Sequence, residues 1–321
     1  MNSDRRQKLS GELLALIYIA IVAATACGTG AFYLLFPELA ALSHDVLTRP
    51  RGTWASAPFM LAVTPVLTGA IGILITRTMP YGYGSVLLVV GGSIGLIVAL
   101  KSPIAPALSA GLLPLVLGVK TWWYPPGILF GTSLLAILSL LRKRIAVASA
   151  APPQPTPDDV VDDVIEMVFP NYYWLSALMI FVVLGVFAVK LTGLRLILFP
   201  PLVVIGFEMF GHTAICPWAK RPMVLPVACF LTAAGGFFFW TTLGVGPAAA
   251  ACSMAWGILV LRVFDLHVPP ALAVALLPLV MDAPTILYPI SVGIGTLLIT
   301  LWFLAYKLMA LRLMVSMPLE S

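Results

Sequence analysis

The chain has 321 residues, 61% of them hydrophobic and 10% charged, with a mean hydropathy of +1.05. Soluble domains are roughly half apolar and about one quarter charged, so this composition excludes a soluble enzyme and specifies a polytopic membrane protein. The formal charge of +5 does not indicate a nucleic-acid partner, because the basic residues stand singly or in short clusters at the ends of apolar segments, where they mark membrane sides.

In chain order, apolar segments fall near 9–26, 31–47, 57–77, 84–100, 105–118 and 126–142, with equivalents in the second half at the constant offset that carries Ala105 to Pro269. The first, Leu9–Ala26, follows the basic RRQK and runs into ATAC at Cys27. It reads as a retained transmembrane helix rather than a lipoprotein signal, since the corresponding place in the second half is also apolar and has no cleavage context. The second and fifth segments carry prolines in LLFPEL (Leu34–Leu39) and SPIAPAL (Ser102–Leu108). As a helix at about 1.5 Å per residue, the 14 residues Ala105–Gly118 cover about 21 Å of a hydrocarbon core about 30 Å thick. Such a segment is expected to be broken, partly unwound or re-entrant.

After residue 145 comes an Ala/Pro-rich stretch, then the acidic DDVVDDVIE at Asp158–Glu166. The first part is an extended linker. The second fits either a short amphipathic interfacial helix or a solvated acidic linker. The chain then divides into a first transmembrane repeat (1–145), a cytoplasmic linker (146–172) and a second repeat (173–321). In the second repeat the proline pairs are ILFPPL (Ile197–Leu202) and HVPPAL (His267–Leu272).

The repeat is visible without gaps. One fixed shift superposes Pro106, Ala107 and Leu108 on Pro270, Ala271 and Leu272, and relates the LLPLV run starting at Leu112 to the one starting at Leu276. By the same shift Trp54 falls on Trp218, Tyr124-Pro125 on Tyr288-Pro289, and Gly131-Thr132 on Gly295-Thr296. If all six segments of each copy cross, 14 of the 18 Lys and Arg residues lie on one side, leaving Arg77, Lys120, Lys190 and Arg195 on the other. If the second and fifth segments re-enter, the split is 9 to 9. The positive-inside tendency therefore favours twelve crossings, both termini cytoplasmic, and two copies of the same orientation in the cell (inner) membrane. The predicted fold class is all-α: a polytopic transmembrane helical bundle of two parallel repeats with proline-broken short helices.

Non-helical backbone at membrane depth must line protein or a cavity, and a helix restarting after a proline presents unpaired N–H groups suited to a small anion. The candidate substrate-binding residues are therefore Pro37 and Glu38, Pro200 and Pro201, Pro106, Pro269 and Pro270, with the ionisable His44, Glu208 and His267. A buried His or Glu also suits a proton relay. Each of these has a plainer reading, as an interfacial anchor, an internal ion pair or a helix kink against small neighbours such as Gly91–Gly95. The four cysteines, Cys27, Cys216, Cys229 and Cys252, lack metal or redox spacing and read as packing residues. No motif for a soluble-type catalytic site, cofactor or metal is present.

The second copy, from LFPPL through CPWAKRP, Gly235-Gly236 and LGVGPAAAA to HVPPALAVALLP, resembles the HPP family of integral membrane proteins. The His is displaced by one residue, His267-Val268-Pro269-Pro270, and the first copy reads Pro103-Ile104-Ala105-Pro106 with no histidine. The resemblance implies a small helical membrane protein and, by analogy with plastid members, nitrite transport. The expected function is a multipass transporter or channel for a small anion, with the lipid bilayer and protons as further partners. The alternatives are a membrane scaffold docking a protein partner through its acidic linker, and an intramembrane enzyme acting on a lipid or quinone through Asp265 and His267.

Overall fold

The computed structural model describes residues 3–148, 163–164, 173–213 and 215–316. Its described residues form fourteen α-helices and no strand. In the first half these are α1 (Ser3–Thr29), α2 (Leu39–Thr48), α3 (Thr53–Ser56), α4 (Pro58–Thr78), α5 (Tyr83–Leu100), α6 (Ala107–Leu117) and α7 (Tyr124–Ala148). In the second half they are α8 (Tyr173–Thr192), α9 (Pro200–Gly211), α10 (Pro217–Lys220), α11 (Val224–Leu243), α12 (Pro247–Val263), α13 (Pro270–Leu276) and α14 (Leu287–Ser316). Each helix of the first half has its counterpart seven places on. Seven of the long helices are long and apolar enough to cross a bilayer. The 17-residue α12, counterpart of α5, takes the eighth place around the bundle.

The repeat extends to single contacts. The Tyr124 hydroxyl donates to the Ala110 carbonyl and the Tyr288 hydroxyl to that of Val274, the same bond made once in each copy. Lys101 and Asp265, again equivalent, are the two non-glycine residues with positive φ among the described residues, both at 50°. Thr68 and Thr232, and Thr132 and Thr296, return their hydroxyls to the carbonyl four residues back, which satisfies a buried hydroxyl inside an apolar helix. Close approach of the fifth segment to the third helix needs glycine in both halves. A Cβ at Gly72 would lie 2.1 Å from the Gly111 carbonyl oxygen, and one at Gly236 2.1 Å from that of Ala275.

The long helices each keep one apolar face outward, whereas α6, α9 and α13 are buried along nearly their whole length, and so is α2 apart from His44 and Thr48. The short helices therefore form the centre and the long ones the wall. The chain direction settles how the short segments run. Leu34 and Tyr33 lie against Gly127 near the start of α7, while Leu47 and Thr48 lie against Gly11 near the start of α1. The second segment thus returns along the full length of α1. The fifth segment begins with Ser102 against Thr64 and ends with the Lys120 carbonyl accepting from Arg77, running the length of α4. Extended backbone and 3-10 turns, such as Phe32–Leu34, supply the reach that a short helix lacks.

The break prolines stand at or just before helix starts, where the helix resumes after the break. Pro200 and Pro201 open α9, Pro270 opens α13, and Pro106 and Pro269 occupy the preceding cap positions of α6 and α13. The first turn has no intrahelical N–H bond to lose, so a proline there is compatible with the helix. Pro37 lies two residues before α2, with Glu38 at the cap. The glycines of GGSIG do not receive these segments either: Gly91 and Gly95 face open space.

The two halves meet with approximate two-fold reciprocity. α1 packs on α12 as α8 packs on α5, and α2 on α13 as α9 on α6. Cys27 at the end of α1 reaches the Val245 carbonyl, and Lys190 at the end of α8 lies 4.2 Å over the Tyr83 ring. Both contacts are at the face opposite the start of α1, so the repeats share one orientation. All four cysteines are free thiols; Cys216 and Cys229 are buried as expected of packing residues, while Cys27 is exposed.

Of the acidic segment, only Asp163 and Val164 lie among the described residues. The Asp163 carboxylate accepts from the Thr53 N–H (3.0 Å) and hydroxyl (2.9 Å) and pairs with Arg49, which is held in turn by Asp45 at 2.6 Å.

The paired glycines yield a direct test. Gly72→Val and Gly236→Val are each expected to destabilise the protein by about 1–3 kcal/mol, since the opposing atom is backbone and cannot rotate away. Gly91→Val and Gly95→Val should leave the thermal midpoint of the detergent-solubilised protein unchanged.

Candidate functional site

At the face where α1 begins, the seam between the repeats gathers four ionisable groups. Glu12 on the second turn of the apolar part of α1 is buried, and its carboxylate accepts from the Arg262 guanidinium at the end of α12. The same carboxylate lies 3.8 Å from His44 Nε2 on α2. His267 lies in the extended approach to α13, the helix that packs on α2, which carries His44. Each group is placed by the packing of α1 on α12 and α2 on α13. Arg262 has 52% of its side chain exposed, so its pairing with Glu12 is partly screened by solvent. The cluster joins a carboxylate, a guanidinium and two imidazoles.

A second, drier site lies inside the first repeat. Glu38 caps α2 and is 1% exposed; its carboxyl faces the Ser109 hydroxyl on the first turn of α6, which is also 1% exposed. Neither side chain makes a hydrogen bond of good geometry among the described residues. The Tyr124 ring of α7 stands nearby with its hydroxyl committed to Ala110.

The remaining expected residues scatter by symmetry rather than converge. Glu208 sits on α9 at the position equivalent to His44 and is 2% exposed. Pro200, Pro201 and Pro270 are buried at the starts of α9 and α13, and these two helices touch each other at the centre. The structure thus brings His44 and His267 together across the repeats, and Pro37 and Glu38 to the first turn of α6 behind Pro106. Asp265 lies away from the cluster, where its exposed carboxylate is 3.8 Å from Arg221.

Sequence reasoning missed Glu12, Arg262 as its partner, and Ser109. Glu12 follows the basic leader and looks interfacial, and its partner is 250 residues away. A position-by-position comparison of the two copies carries the missing signal: Glu38 and Ser109 are both polar where the second copy has Leu202 and Ala273.

The far face of the seam uses different chemistry. Lys190 lies over the Tyr83 ring and Arg195 over the Tyr81 ring at 5.5 Å, so aromatic faces rather than carboxylates receive the cations there. With Arg77 and Lys120, these are the four basic residues expected on the opposite side from the others, and the structure puts all four at one face. Comparison with models of protein families, with curated proteins and with solved structures finds no match to this chain.

The Glu12–Arg262 pair is expected to hold the seam. Glu12→Arg and Arg262→Glu should each lower the thermal midpoint, and the double reversal should recover most of the loss. Additive losses in the double variant would show that the two charges act separately.

Proposed function

We propose that this protein is a multipass transporter that carries a small solute along the seam between its two repeats, the solute being an inorganic anion such as nitrite. The observation that carries the reading is the meeting of proline-started short helices from opposite repeats at the buried centre, α2 with α13 and α6 with α9. Short helices and extended backbone at membrane depth are a costly way to fill space that a plain helix would fill, and transporters use such segments to line their binding sites. Anion preference is supported by Arg262, His44 and His267 at one mouth of the seam and by the resemblance to the HPP family.

The short helices are packed tightly, so movement of a solute requires one repeat to shift against the other rather than an open pore. The side chains that bridge the seam at its two faces, Glu12 with Arg262 at one and Lys190 with Tyr83 at the other, are suited to opening in alternation. The excess of basic residues at the face where α1 begins supports a cytoplasmic assignment for that face and the cell membrane as the location. The scaffold reading has less support, because Asp163 of the acidic segment is engaged within the chain by Arg49 and Thr53. An enzymatic reading through Asp265 and His267 is not favoured by the geometry, which turns Asp265 toward Arg221.

Purified protein in liposomes is expected to take up one anion of a nitrite, nitrate, formate and chloride panel in a saturable way. Cross-linking Val245→Cys to Cys27, whose sulfur is 3.6 Å from the Val245 carbonyl oxygen, should pin the seam and abolish that uptake, with recovery on reduction. Absence of uptake for every anion would remove the anion assignment, and uptake unaffected by the cross-link would contradict relative movement of the repeats.

A further inference from the structure

The duplication makes the first repeat chemically unlike the second at its centre. Glu38, Ser109, Ser93, Thr64 and Ser102 correspond to Leu202, Ala273, Gly257, Ala228 and Leu266. The five polar residues are all buried: Thr64 donates to Ser102 at 2.8 Å, Ser93 lies against Gly111 on α6, and Glu38 faces Ser109 two residues earlier. A scaffold that folds with apolar residues in one copy does not need this polar set for packing in the other. Something other than stability accounts for a carboxyl group at that depth.

The surroundings decide what it binds. Among the described residues no Lys, Arg or His lies within ion-pair distance of Glu38. On the elements around it, Tyr124 of α7 is turned to Ala110, Tyr18 of α1 donates to the Gly131 carbonyl, and Glu12 and His44 pair with each other. On its own helix, Asp45 and Arg49 are engaged together near the end of α2. An ionised carboxylate at this point would have no counter-charge. A metal cation needs several oxygen ligands, whereas Glu38 has one hydroxyl facing it. A proton needs only the carboxyl itself and a hydroxyl to share it.

We propose that Glu38 is a proton-binding site, with the Ser109 hydroxyl that faces it closing to accept a hydrogen bond from the protonated carboxyl, and that it couples solute movement to protons in the first repeat alone. The coupling part rests on the transport reading above; the binding part does not. In the buried position Glu38, by this proposal, holds its proton. On exposure to one face of the membrane, as the repeats shift, it releases that proton to water, and it is reprotonated before it returns to the buried position.

Infrared spectroscopy of the protein in lipid separates the two parts. At neutral pH the wild-type minus Glu38→Gln difference should contain the carbonyl stretch of one protonated carboxylic acid. In Ser109→Ala the band should persist at a shifted frequency, which also serves if Glu38→Gln folds poorly. A difference spectrum with carboxylate bands instead, a band unmoved in Ser109→Ala, or an acid band titrated away by sodium ions would overturn the site. In liposomes that take up an anion, an imposed pH gradient should stimulate wild-type uptake several-fold and Glu38→Gln uptake not at all. Full stimulation in Glu38→Gln would overturn the coupling, while a band without any uptake would leave the proton site and refute the transport reading.

Discussion

Backbone N–H and C=O groups cannot face lipid unpaired, and this constraint arranges the whole molecule. Four segments are too short as helices to cross and continue into extended backbone or 3-10 turns. Such stretches must be shielded by protein. Eight long helices supply the shield, and the short segments take the centre of the bundle as a result. The close contacts follow from the same demand: Gly72 and Gly236 admit the backbone of the fifth segment, and Tyr124 and Tyr288 tie that segment to the last helix of their own repeat.

Once both copies have solved the backbone problem identically, their side chains are free to differ. The first copy places a carboxyl and several hydroxyls where the second is apolar, and the second supplies His267 and Arg262 to a cluster completed by Glu12 and His44 from the first. The duplicated frame thus carries one seam with two unlike linings. Such a frame would give a solute at the seam and a proton inside the first repeat different places to bind, as the proposed coupled transport requires.

Much of the fold was legible in the sequence because its signals are periodic and local. Apolar runs mark the long helices, proline pairs mark the starts of short ones, and a single ungapped offset, Trp54 to Trp218 and Pro106 to Pro270 alike, reveals the repeat. The prolines were legible as breaks after which a helix restarts, because the first turn of a helix tolerates a missing N–H. The site was legible only in part. His44, His267 and Glu38 stand out as ionisable residues in apolar surroundings, yet the pairing of Glu12 with Arg262 depends on the two repeats folding against each other. Ser109 is a single hydroxyl in an apolar run, and it gains meaning only beside Glu38. Glu208, by contrast, stood out in sequence and lies on α9, at the place in the second repeat that His44 takes in the first.

The central claim is that the short segments cross the membrane fully, and the two ends of the fifth segment test it most directly. Lys101 and Lys120 are both exposed, one at the end of α5 and the other after α6. Single cysteines at these positions in a cysteine-free protein, labelled in intact cells with a membrane-impermeant maleimide, should report opposite sides: Lys120→Cys labelled from outside, Lys101→Cys only after permeabilisation. Labelling of both from the same side would make the segment re-entrant and contradict the account.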